Sequence, residues 1–589
     1  MAARAQGPSA GRGLVAMKDG DAGAFVSWRL LKGDGADIGF HVWRLGSDGK
    51  ETKITEDPLV KATSLRDSVA GVGYRVVSTH GGEWRAKTWQ KPYLEIPLDP
   101  IEGYRPGDCS VGDLDGDGEW ELIVHQVGRA RDNGSAGLTD PPILDAYKLD
   151  GTRLWRIDLG KNIREGEHYT QFMVYDLDGD GCAEVACKTA DGSRDGRGKA
   201  IGDASKDWRC LDEGTQKFGR ILEGPEYLTV FDGKTGGQLD TVEYVPGRGR
   251  IDGWGGVGGN GGNDNYGNRC DRFLACVAYL DGEKPSLVMT RGVYGRIVAA
   301  AWDFRDGKLK SRWVFDSGSG LGREPSKYAG MGGHSLTVAD VDADGRDEIL
   351  YQAMAIDDDG KGLFTTGRRH GDAMHVADFD PSRPGMELYL VTENEGDTVR
   401  WRTPGAGMHC AKTGELLWSN SPGVDISHGV VADIDPRHPG AEVWGGPGGL
   451  RNVKGETIGP APRNSDWVIW WDGDLLREIY GASSIFKWEW KEGKERRIFQ
   501  ADQPFGGQGR RYGFGFRPNL AADLLGDWRE ELLLVGPRAE SLRLHVSTES
   551  TPHRLPWLMQ DRQYRLSIVW QNVVYNKPPH VGGFFMGER

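Results

Sequence analysis

The sequence predicts an all-β protein in which a β-propeller of about eight blades, with seven as the near alternative, follows a small N-terminal β-sandwich. Two kinds of unit recur from residue 104 onward: pairs of apolar strands joined at a tight DG or TG turn, and acidic loops followed by an apolar strand. No convincing long amphipathic helix interrupts them. The 89 glycines cluster at turns, as a chain of many short strands requires.

Residues 11–90 form the first predicted domain. Strand patterns with alternating, β-branched and aromatic residues occur in AFVSWRLL, IGFHVWRL and YRVVS, separated by Gly/Asp turns. We expect Trp28 and Trp43 to lie inside this small sandwich. Residues 91–103, within the proline-rich stretch KPYLEIPLDPIEGYRPG, are predicted to be a linker.

Residues 104–589 are predicted to form the propeller. The strand-pair unit occurs in ILDAYKLDGTRLWRIDL, LTVFDGKTGGQLDTVEY, MHCAKTGELLW and WVIWWDGDLLREIY, among others. Self-similarity at a period of about 40–60 residues is typical of propellers and solenoids. Radial repetition is one way in which all-β chains avoid exposed sheet edges.

The strongest motif is D-x-D-x-D-G-x-x-E. Alternate residues of a tight loop can turn their carboxylates toward one centre, and calcium takes about six to eight oxygen ligands. The motif contains no Cys or His ligand, so zinc and copper are not expected. An EF-hand is excluded because its twelfth loop position needs a glutamate, and here that position holds Val124, Cys187 or Tyr351. The predicted ligands in the three copies are Asp113, Asp115, Asp117 and Glu121; Asp176, Asp178, Asp180 and Glu184; and Asp340, Asp342, Asp344 and Glu348.

Variants of this motif recur later in the chain. Two have a D-x-D-P form with one extra residue before the glutamate, and one keeps only positions one, five and nine. We expect several structural Ca²⁺ ions in these loops, with the alternative that the carboxylates only cap turns. Such loops do not identify an enzyme, because adhesion propellers use similar ones. The variant residues are Asp378, Asp380 and Glu387; Asp433, Asp435 and Glu442; and Asp523, Asp527 and Glu531.

Composition limits the possible partners. The formal net charge is −14, so nucleic acid and anionic membranes are not expected partners. Bound divalent ions would offset this charge and so permit an acidic substrate. The seven cysteines show no disulfide framework, and no apolar stretch approaches the length of a membrane span. No signal peptide is visible, so the chain is either intracellular or has a leader that lies outside this sequence.

Several long segments carry a family resemblance. They are LWRIDLGKNIREGEHYTQFMVYDLDGDGCAEVACKTADGSRDG, HGDAMHVADFDPSRPGMELYLVTEN, ADLLGDWREE and QYRLSIVWQNVVYNKPPH. Together they resemble the rhamnogalacturonan lyases of polysaccharide lyase family 11, and the likeness covers nearly the whole chain. The resemblance implies an eight-bladed propeller behind a fibronectin type III-like β-sandwich, with many calcium ions. It also implies a secreted or periplasmic enzyme, and we expect a monomer.

The implied reaction is β-elimination at the rhamnosyl-(1→4)-galacturonate bond of rhamnogalacturonan I, an acidic plant cell-wall polysaccharide of pectin. The products carry 4,5-unsaturated galacturonate ends. The uronate carboxylate must be neutralised, a base must remove the C5 proton, and the leaving O4 needs a proton or other stabilisation. A calcium ion or an arginine suits the first role.

Catalytic candidates lie in irregular, Gly-rich segments, where propeller clefts usually form. We predict Lys188 or His370 as the base, Arg296 as the carboxylate-binding group and Tyr575 as a sugar contact. The alternative for each is that the side chain only braces a loop by hydrogen bonding. The other candidates are His168, Arg291, Tyr294, His334 and His375.

One stretch departs from the family pattern. Family members often carry Asn-Gly-Thr before the ADLLGDWREE-like segment, where this chain has Tyr512, Gly513 and Phe514. Two alternatives therefore stay open: a lyase for a different rhamnosyl-uronate polysaccharide, and a non-catalytic carbohydrate-binding propeller. A quinoprotein dehydrogenase is a third alternative, since those propellers also use TGELLW-like turns.

Overall fold

Strands dominate the computed structural model of the chain. The structure describes residues 11–256, 262–318, 326–393, 404–423, 425–502, 517–575 and 577–583. Within these ranges no helix is both long and apolar enough to cross a membrane.

The N-terminal domain is a two-sheet sandwich. Its core draws on both sheets and contains Trp28, which packs edge-on against Phe40 at 5.4 Å between ring centroids. Trp43 is not in this core, because it points to the opposite face of its strand from Phe40 and Val42 and lies under Arg75. One sheet contains β1 (Val15–Asp19), β2 (Gly23–Ser27) and β5 (Ser64–Asp67), and the other contains β3 (Phe40–Leu45), β4 (Glu51–Lys53), β6 (Gly73–Ser78) and β7 (Glu83–Lys87).

Eight four-stranded antiparallel sheets account for the remaining described strands, and we number them 1 to 8 along the chain. Sheets 1 to 4 contain β9 (Arg105–Gly112), β10 (Glu121–Val127), β11 (Ile143–Tyr147) and β12 (Arg153–Asp158); β13 (Phe172–Tyr175), β14 (Glu184–Ala190), β15 (Glu226–Phe231) and β16 (Gln238–Glu243); β17 (Ala275–Ala278), β18 (Ser286–Arg291), β19 (Val298–Arg305) and β20 (Lys308–Asp316); and β21 (Thr337–Ala339), β22 (Glu348–Tyr351), β23 (Met354–Ile356) and β24 (Gly362–Thr365).

Sheets 5 to 8 repeat the same arrangement. They contain β25 (Met374–Ala377), β26 (Glu387–Val391), β27 (Pro404–Cys410) and β28 (Leu416–Pro422); β29 (Val430–Ala432), β30 (Glu442–Trp444), β31 (Leu450–Arg451) and β32 (Thr457–Gly459); β33 (Trp467–Ile469), β34 (Glu478–Gly481), β35 (Ser484–Glu489) and β36 (Lys494–Gln500); and β37 (Leu520–Ala522), β38 (Glu531–Val535), β39 (Ser541–His545) and β8 (Tyr93–Pro97).

Strand β8 lies inside the segment predicted as a linker. It pairs antiparallel with β39, with Tyr93 opposite His545 and Pro97 opposite Ser541. Residues 91–103 are therefore more than a connection, since they supply the outer strand of sheet 8. The apolar side chains of this segment explain the difference, because Ile96 is fully buried in the core shared with sheets 1 and 8.

Burial separates the strands of each sheet. The first strands are mostly buried, and β17 with the sequence ACVA is buried throughout, whereas β20 at the opposite edge is mostly exposed. First strands of neighbouring sheets contact each other from β9 to β33, and β37 contacts β9. The first strands therefore line the inside of the assembly, where continuous apolar runs are expected.

A short helix, α1 (Arg562–Trp570), packs against the inner strands β9, β13, β17 and β21. Asp561 begins it by accepting a hydrogen bond from the Tyr564 backbone N–H at 3.0 Å. The chain beyond the helix stays against the inner strands, since Asn572 Nδ2 donates to the Phe172 carbonyl at 2.9 Å. This placement brings Tyr575 and Lys577 to the centre of the molecule. Among the described residues, short 3₁₀ helices cover Ile251–Gly253 and Leu558–Gln560.

Candidate active site and cation sites

The acidic loops join the first and second strands of their sheets, and we number each loop by its sheet. In every full copy the glutamate begins the second strand and turns one oxygen back onto the loop. Oε2 of Glu121, Glu184 and Glu348 accepts a backbone N–H at 2.8 Å in each case. The first aspartate closes the turn, as Asp113 does by accepting from the Gly116 and Gly118 N–H groups. The motif therefore holds its carboxylates in place by backbone hydrogen bonds.

Loops 1, 2 and 4 bring their carboxylates close enough to share one ion. Ligand atoms lie within 4.8 Å of one another in three groups: Asp113, Asp115 and Glu121; Asp176, Asp178 and Glu184; and Asp340, Asp342 and Asp344. Burial raises the pKa of Glu184 to about 9 and that of Glu348 to about 8, and the charge of the neighbouring aspartates adds to this effect. Ionised carboxylates held this close repel one another, and either a proton or a bound cation can offset their charge.

Loop 4 and several other acidic loops contact a cationic side chain, and in loop 4 Arg346 lies 3.1 Å from Asp344. Lys148 lies 2.8 Å from Asp115 and 3.3 Å from Glu121 in loop 1. Corresponding ion pairs join Lys454 to Asp380 in loop 5, Arg437 to Asp435 in loop 6 and Arg529 to Asp527 in loop 8. The predicted ligands of these loops thus lie near positive charge supplied by the chain itself.

Histidines and tyrosines from five separate segments meet at the centre. The ring of His334 lies 4.7 Å from the rings of His168 and His370 and 4.6 Å from that of Tyr575. Tyr294 stacks at 4.0 Å on His370, and its hydroxyl lies 3.1 Å from Nε2 of His334. His168, His334 and His370 are buried, whereas Tyr575 is partly exposed. Two of the four predicted catalytic residues, His370 and Tyr575, therefore belong to this centre.

Two carboxylates complete a potential cation site beside these rings. His370 donates from Nδ1 to the Gly332 carbonyl at 2.8 Å, so Nε2 is the ring nitrogen that faces the carboxylates. That Nε2 lies 3.2 Å from Glu393 and 3.8 Å from Asp372, and Nε2 of His334 lies 3.6 Å from Asp372. His334, His370 and Asp372 can place one ligand atom each within 4.8 Å of one another. Burial drives the pKa of His334 well below its usual value, so this imidazole is neutral and able to bind a metal.

Basic side chains surround Asp466 on another side of Tyr575. Lys577 Nζ and Arg517 Nε each lie 2.8 Å from a carboxylate oxygen of Asp466, and His428 lies at 3.3 Å. Against the effect of burial, Arg517 and Lys577 hold the pKa of Asp466 well below its usual range. Burial in turn lowers the pKa of Lys577, despite the opposing charge of Asp466. Arg517 also lies over the Tyr575 ring at 4.9 Å. Tyr575 therefore connects the charged groups around Asp466 with the histidine–tyrosine centre.

The other two catalytic candidates lie in different surroundings. Lys188 is paired with Glu226 at 3.0 Å, in a buried network that includes Arg291. Arg296 forms a bidentate pair with Asp316 and lies over Trp254. These predictions therefore do not join the histidine–tyrosine centre through any contact in the described part of the chain.

Some predicted features cannot be placed and some residues were missed. Tyr512, Gly513 and Phe514 lie outside the described residues. Sequence reasoning did not single out Asp372, Glu393, Asp466, Arg517 or Lys577. Two signals were available, because Asp372 lies within HGDAMH and Lys577 within VYNKPPH, segments already noted for their His and Tyr residues.

Comparisons with known proteins agree with one another. The family model described as "Rhamnogalacturonan lyase family 11, C-terminal domain" matches residues 97–589, and "Rhamnogalacturonan I lyases beta-sheet domain" matches residues 7–91. The chain is 47% identical over 596 residues to the rhamnogalacturonan endolyase YesW of Bacillus subtilis, covering 98% of this chain and 90% of that protein. It is 48% identical over 611 residues to the exolyase YesX of the same organism, covering 98% and 94%. The solved rhamnogalacturonan lyase PL11 of Bacillus licheniformis superposes with a TM-score of 0.90 at 46% identity, covering 100% of this chain and 98% of that one.

Proposed function

The chain belongs to rhamnogalacturonan lyase family 11, and we propose that it cleaves rhamnogalacturonan I by β-elimination at the histidine–tyrosine centre. One observation supports this assignment. The potential cation-binding group of His334, His370 and Asp372 lies beside Lys577, Arg517 and Tyr575. One side can neutralise a uronate carboxylate, and the other can move protons. A β-elimination needs both functions at one sugar ring.

The eight sheets are proposed to close into an eight-bladed propeller around this centre. Three observations support the ring: the contacts between successive first strands, the contact of β37 with β9, and the completion of sheet 8 by β8 from the start of the domain. Helix α1 then lies on the inside of the ring. A fibronectin type III-like topology for the N-terminal sandwich, secretion and a monomeric state stay predictions from the family resemblance.

A divalent cation is proposed to bind between His334, His370, Asp372 and Glu393. The Gly332 carbonyl supports the assignment, because it directs the lone pair of His370 toward the two carboxylates. When bound, the ion would neutralise the uronate carboxylate and so make the C5 proton more acidic. We propose calcium here and in loops 2 and 4, since hard carboxylate oxygens favour it. Metal analysis of the purified protein distinguishes calcium from manganese, which accepts imidazole and carboxylate together.

The chain's own groups provide the remaining chemistry. Lys577 is assigned as the base, because burial lowers its pKa and makes the neutral amine accessible. Tyr575 is assigned as the proton donor to the leaving O4, since burial raises its hydroxyl pKa and keeps the proton in place. Arg517 would bind an acidic oxygen of the sugar chain while it remains paired with Asp466. His370, predicted above as a base, is reassigned to the cation.

Incubation with rhamnogalacturonan I tests this proposal. We expect an ultraviolet absorbance rise from the unsaturated uronate, and product masses that correspond to cleavage on the reducing side of rhamnose, with no such rise on homogalacturonan. Retention on immobilised rhamnogalacturonan I without any absorbance change would instead indicate a carbohydrate-binding protein. A rise only on another rhamnosyl-uronate polymer would replace the substrate and keep the chemistry.

A further inference from the structure

Sheet 7 contains an acidic loop that the full motif does not reveal. Asp472 and Asp474 lie between β33 and β34, and Glu478 begins β34, at the places where the other loops carry their carboxylates. Glu478 behaves as the other glutamates do, because its Oε2 accepts the Trp471 backbone N–H at 2.8 Å. The loop therefore has the frame of a cation site.

An ammonium group already lies among these carboxylates. Lys487 Nζ is 2.9 Å from Asp472, 2.8 Å from Asp474 and 2.8 Å from Oε1 of Glu478. The lysine is 8% exposed and Glu478 is fully buried, so their contact is little screened, whereas the Asp474 side chain is about half exposed. Three carboxylates around one buried ammonium form the arrangement that a divalent ion would otherwise complete.

Loop 4 shows the same frame without the lysine. Oε2 of Glu348 accepts a backbone N–H at 2.8 Å, as in loop 7, but its Oε1 is buried with no hydrogen-bond partner among the described residues. Asp357 and Asp358 lie close enough to share an ion with Glu348, and the half-exposed Arg346 pairs with Asp358 at 2.6 Å but makes no contact with Oε1 of Glu348 among the described residues. An unsatisfied buried carboxylate oxygen facing further carboxylates indicates a missing positive charge.

Strand register explains the difference between the two loops. Ile479 pairs with Phe486 in sheet 7, so the preceding Glu478 is opposite Lys487 on the third strand. Ile349 pairs with Ile356 in sheet 4, so Glu348 is opposite Asp357. The same count places Lys148 opposite Glu121 in sheet 1 and Asp232 opposite Glu184 in sheet 2, from the pairs Leu122–Tyr147 and Val185–Phe231.

We infer that the residue opposite the loop glutamate decides which cation each of these four loops holds. Lysine there supplies a tethered ammonium, so loops 1 and 7 need no metal. Aspartate there supplies a further carboxylate, so loops 2 and 4 bind a divalent ion. Lys148 is more exposed than Lys487, but it contacts the three carboxylates of loop 1 at the positions that correspond to the partners of Lys487 in loop 7. Loops 5 and 6 have other residue types at this position and are outside the inference.

The inference rests on the proposed calcium sites and not on the catalytic assignment. A calcium count separates the two, because it does not depend on turnover. Purified full-length protein, equilibrated in calcium and freed of excess ion, is analysed for bound calcium by mass spectrometry. Lys487→Asp should bind one calcium more than wild type, and Asp357→Lys should bind one fewer. Lys148→Asp, the matched change in loop 1, should also gain one.

Folding controls keep the test decisive. If Lys487→Asp folds only in millimolar calcium, the rescue supports the inference, since the ion replaces the lost ammonium. If it does not fold at any calcium concentration, anomalous scattering from wild-type crystals grown in calcium decides. Density in loop 4 with none in loop 7 supports the inference. A calcium ion in loop 7 with Lys487 turned away, or unchanged counts in folded Lys487→Asp and Asp357→Lys, would overturn it.

Discussion

Calcium binding should release protons, because the glutamates of loops 2 and 4 hold protons when no ion is bound. With pKa values of about 9 for Glu184 and about 8 for Glu348, the two side chains together carry about 1.9 protons at pH 7. A bound ion ionises both, so filling these loops at pH 7 should release about two protons. At pH 10 the same groups carry only about 0.1 proton, and their release should nearly vanish.

Calorimetric titration of chelated protein in two buffers of different ionisation enthalpy measures this release. Glu184→Gln is the matched control, because it keeps the side-chain shape but has no titrating proton, and it should release about one proton fewer at pH 7. A release that does not differ between wild type and this variant, or that persists at pH 10, would refute the reasoning about loop 2.

The same pKa shifts affect stability with a definite sign. A glutamate whose folded pKa is raised stabilises the chelated protein below its unfolded pKa of about 4.5, and this contribution is lost as pH rises toward the folded value. Between pH 4.5 and 7 the free energy of unfolding of the chelated protein should therefore fall by about 3 kcal/mol for each of Glu184 and Glu348. We expect the melting temperature to fall over this range in chelator and much less in calcium.

Four further substitutions test the centre and the domain contact. Asp372→Asn should reduce turnover by at least about 100-fold and remove one bound ion, and normal turnover in chelator would contradict it. Tyr575→Phe should lower kcat by about 10²–10⁴-fold with the same bound metal, whereas a change in KM alone would argue for a sugar contact only. Lys577→Met should lower kcat similarly and remove the acidic limb of the pH–rate profile, where protonation of the amine stops the reaction, and a retained limb would exclude Lys577 as the base. Arg29→Met should destabilise the protein by about 3–5 kcal/mol in urea titration, because Arg29 is fully buried over Trp557. The control Arg85→Met, at an exposed position, should have little effect on stability. Equal losses of stability in the two variants would refute a special role for Arg29.

Local features could be predicted from the sequence because the residues that form them are close along the chain. The acidic loop is set by nine residues, so its carboxylates, its turn glycine and the strand after it could be predicted together. Loops 1, 2 and 4 accordingly bring predicted ligands within reach of one ion. The position of Lys487 could not be predicted in this way, since it depends on the register of the third strand.

Features that depend on distant pairing were not available from the sequence. β8 completes sheet 8 through a pairing across more than 400 residues, and nothing local to Tyr93–Pro97 specifies β39 as its partner. The candidate site has the same origin, because His168, His334, His370 and Tyr575 come from four separate segments. Residue type alone did not predict the role of Lys188, since its amine is paired with Glu226 and lies away from this centre.

The most direct test of the account measures the initial rate of unsaturated uronate formation from rhamnogalacturonan I against free calcium, for wild type and for His334→Gln. The account predicts that chelation abolishes the wild-type rate, that added calcium restores it, and that calcium does not restore the variant even though its loops still bind the ion. A wild-type rate that survives complete removal of divalent ions, or a variant that responds to calcium as wild type does, would contradict the proposed cation between His334, His370, Asp372 and Glu393.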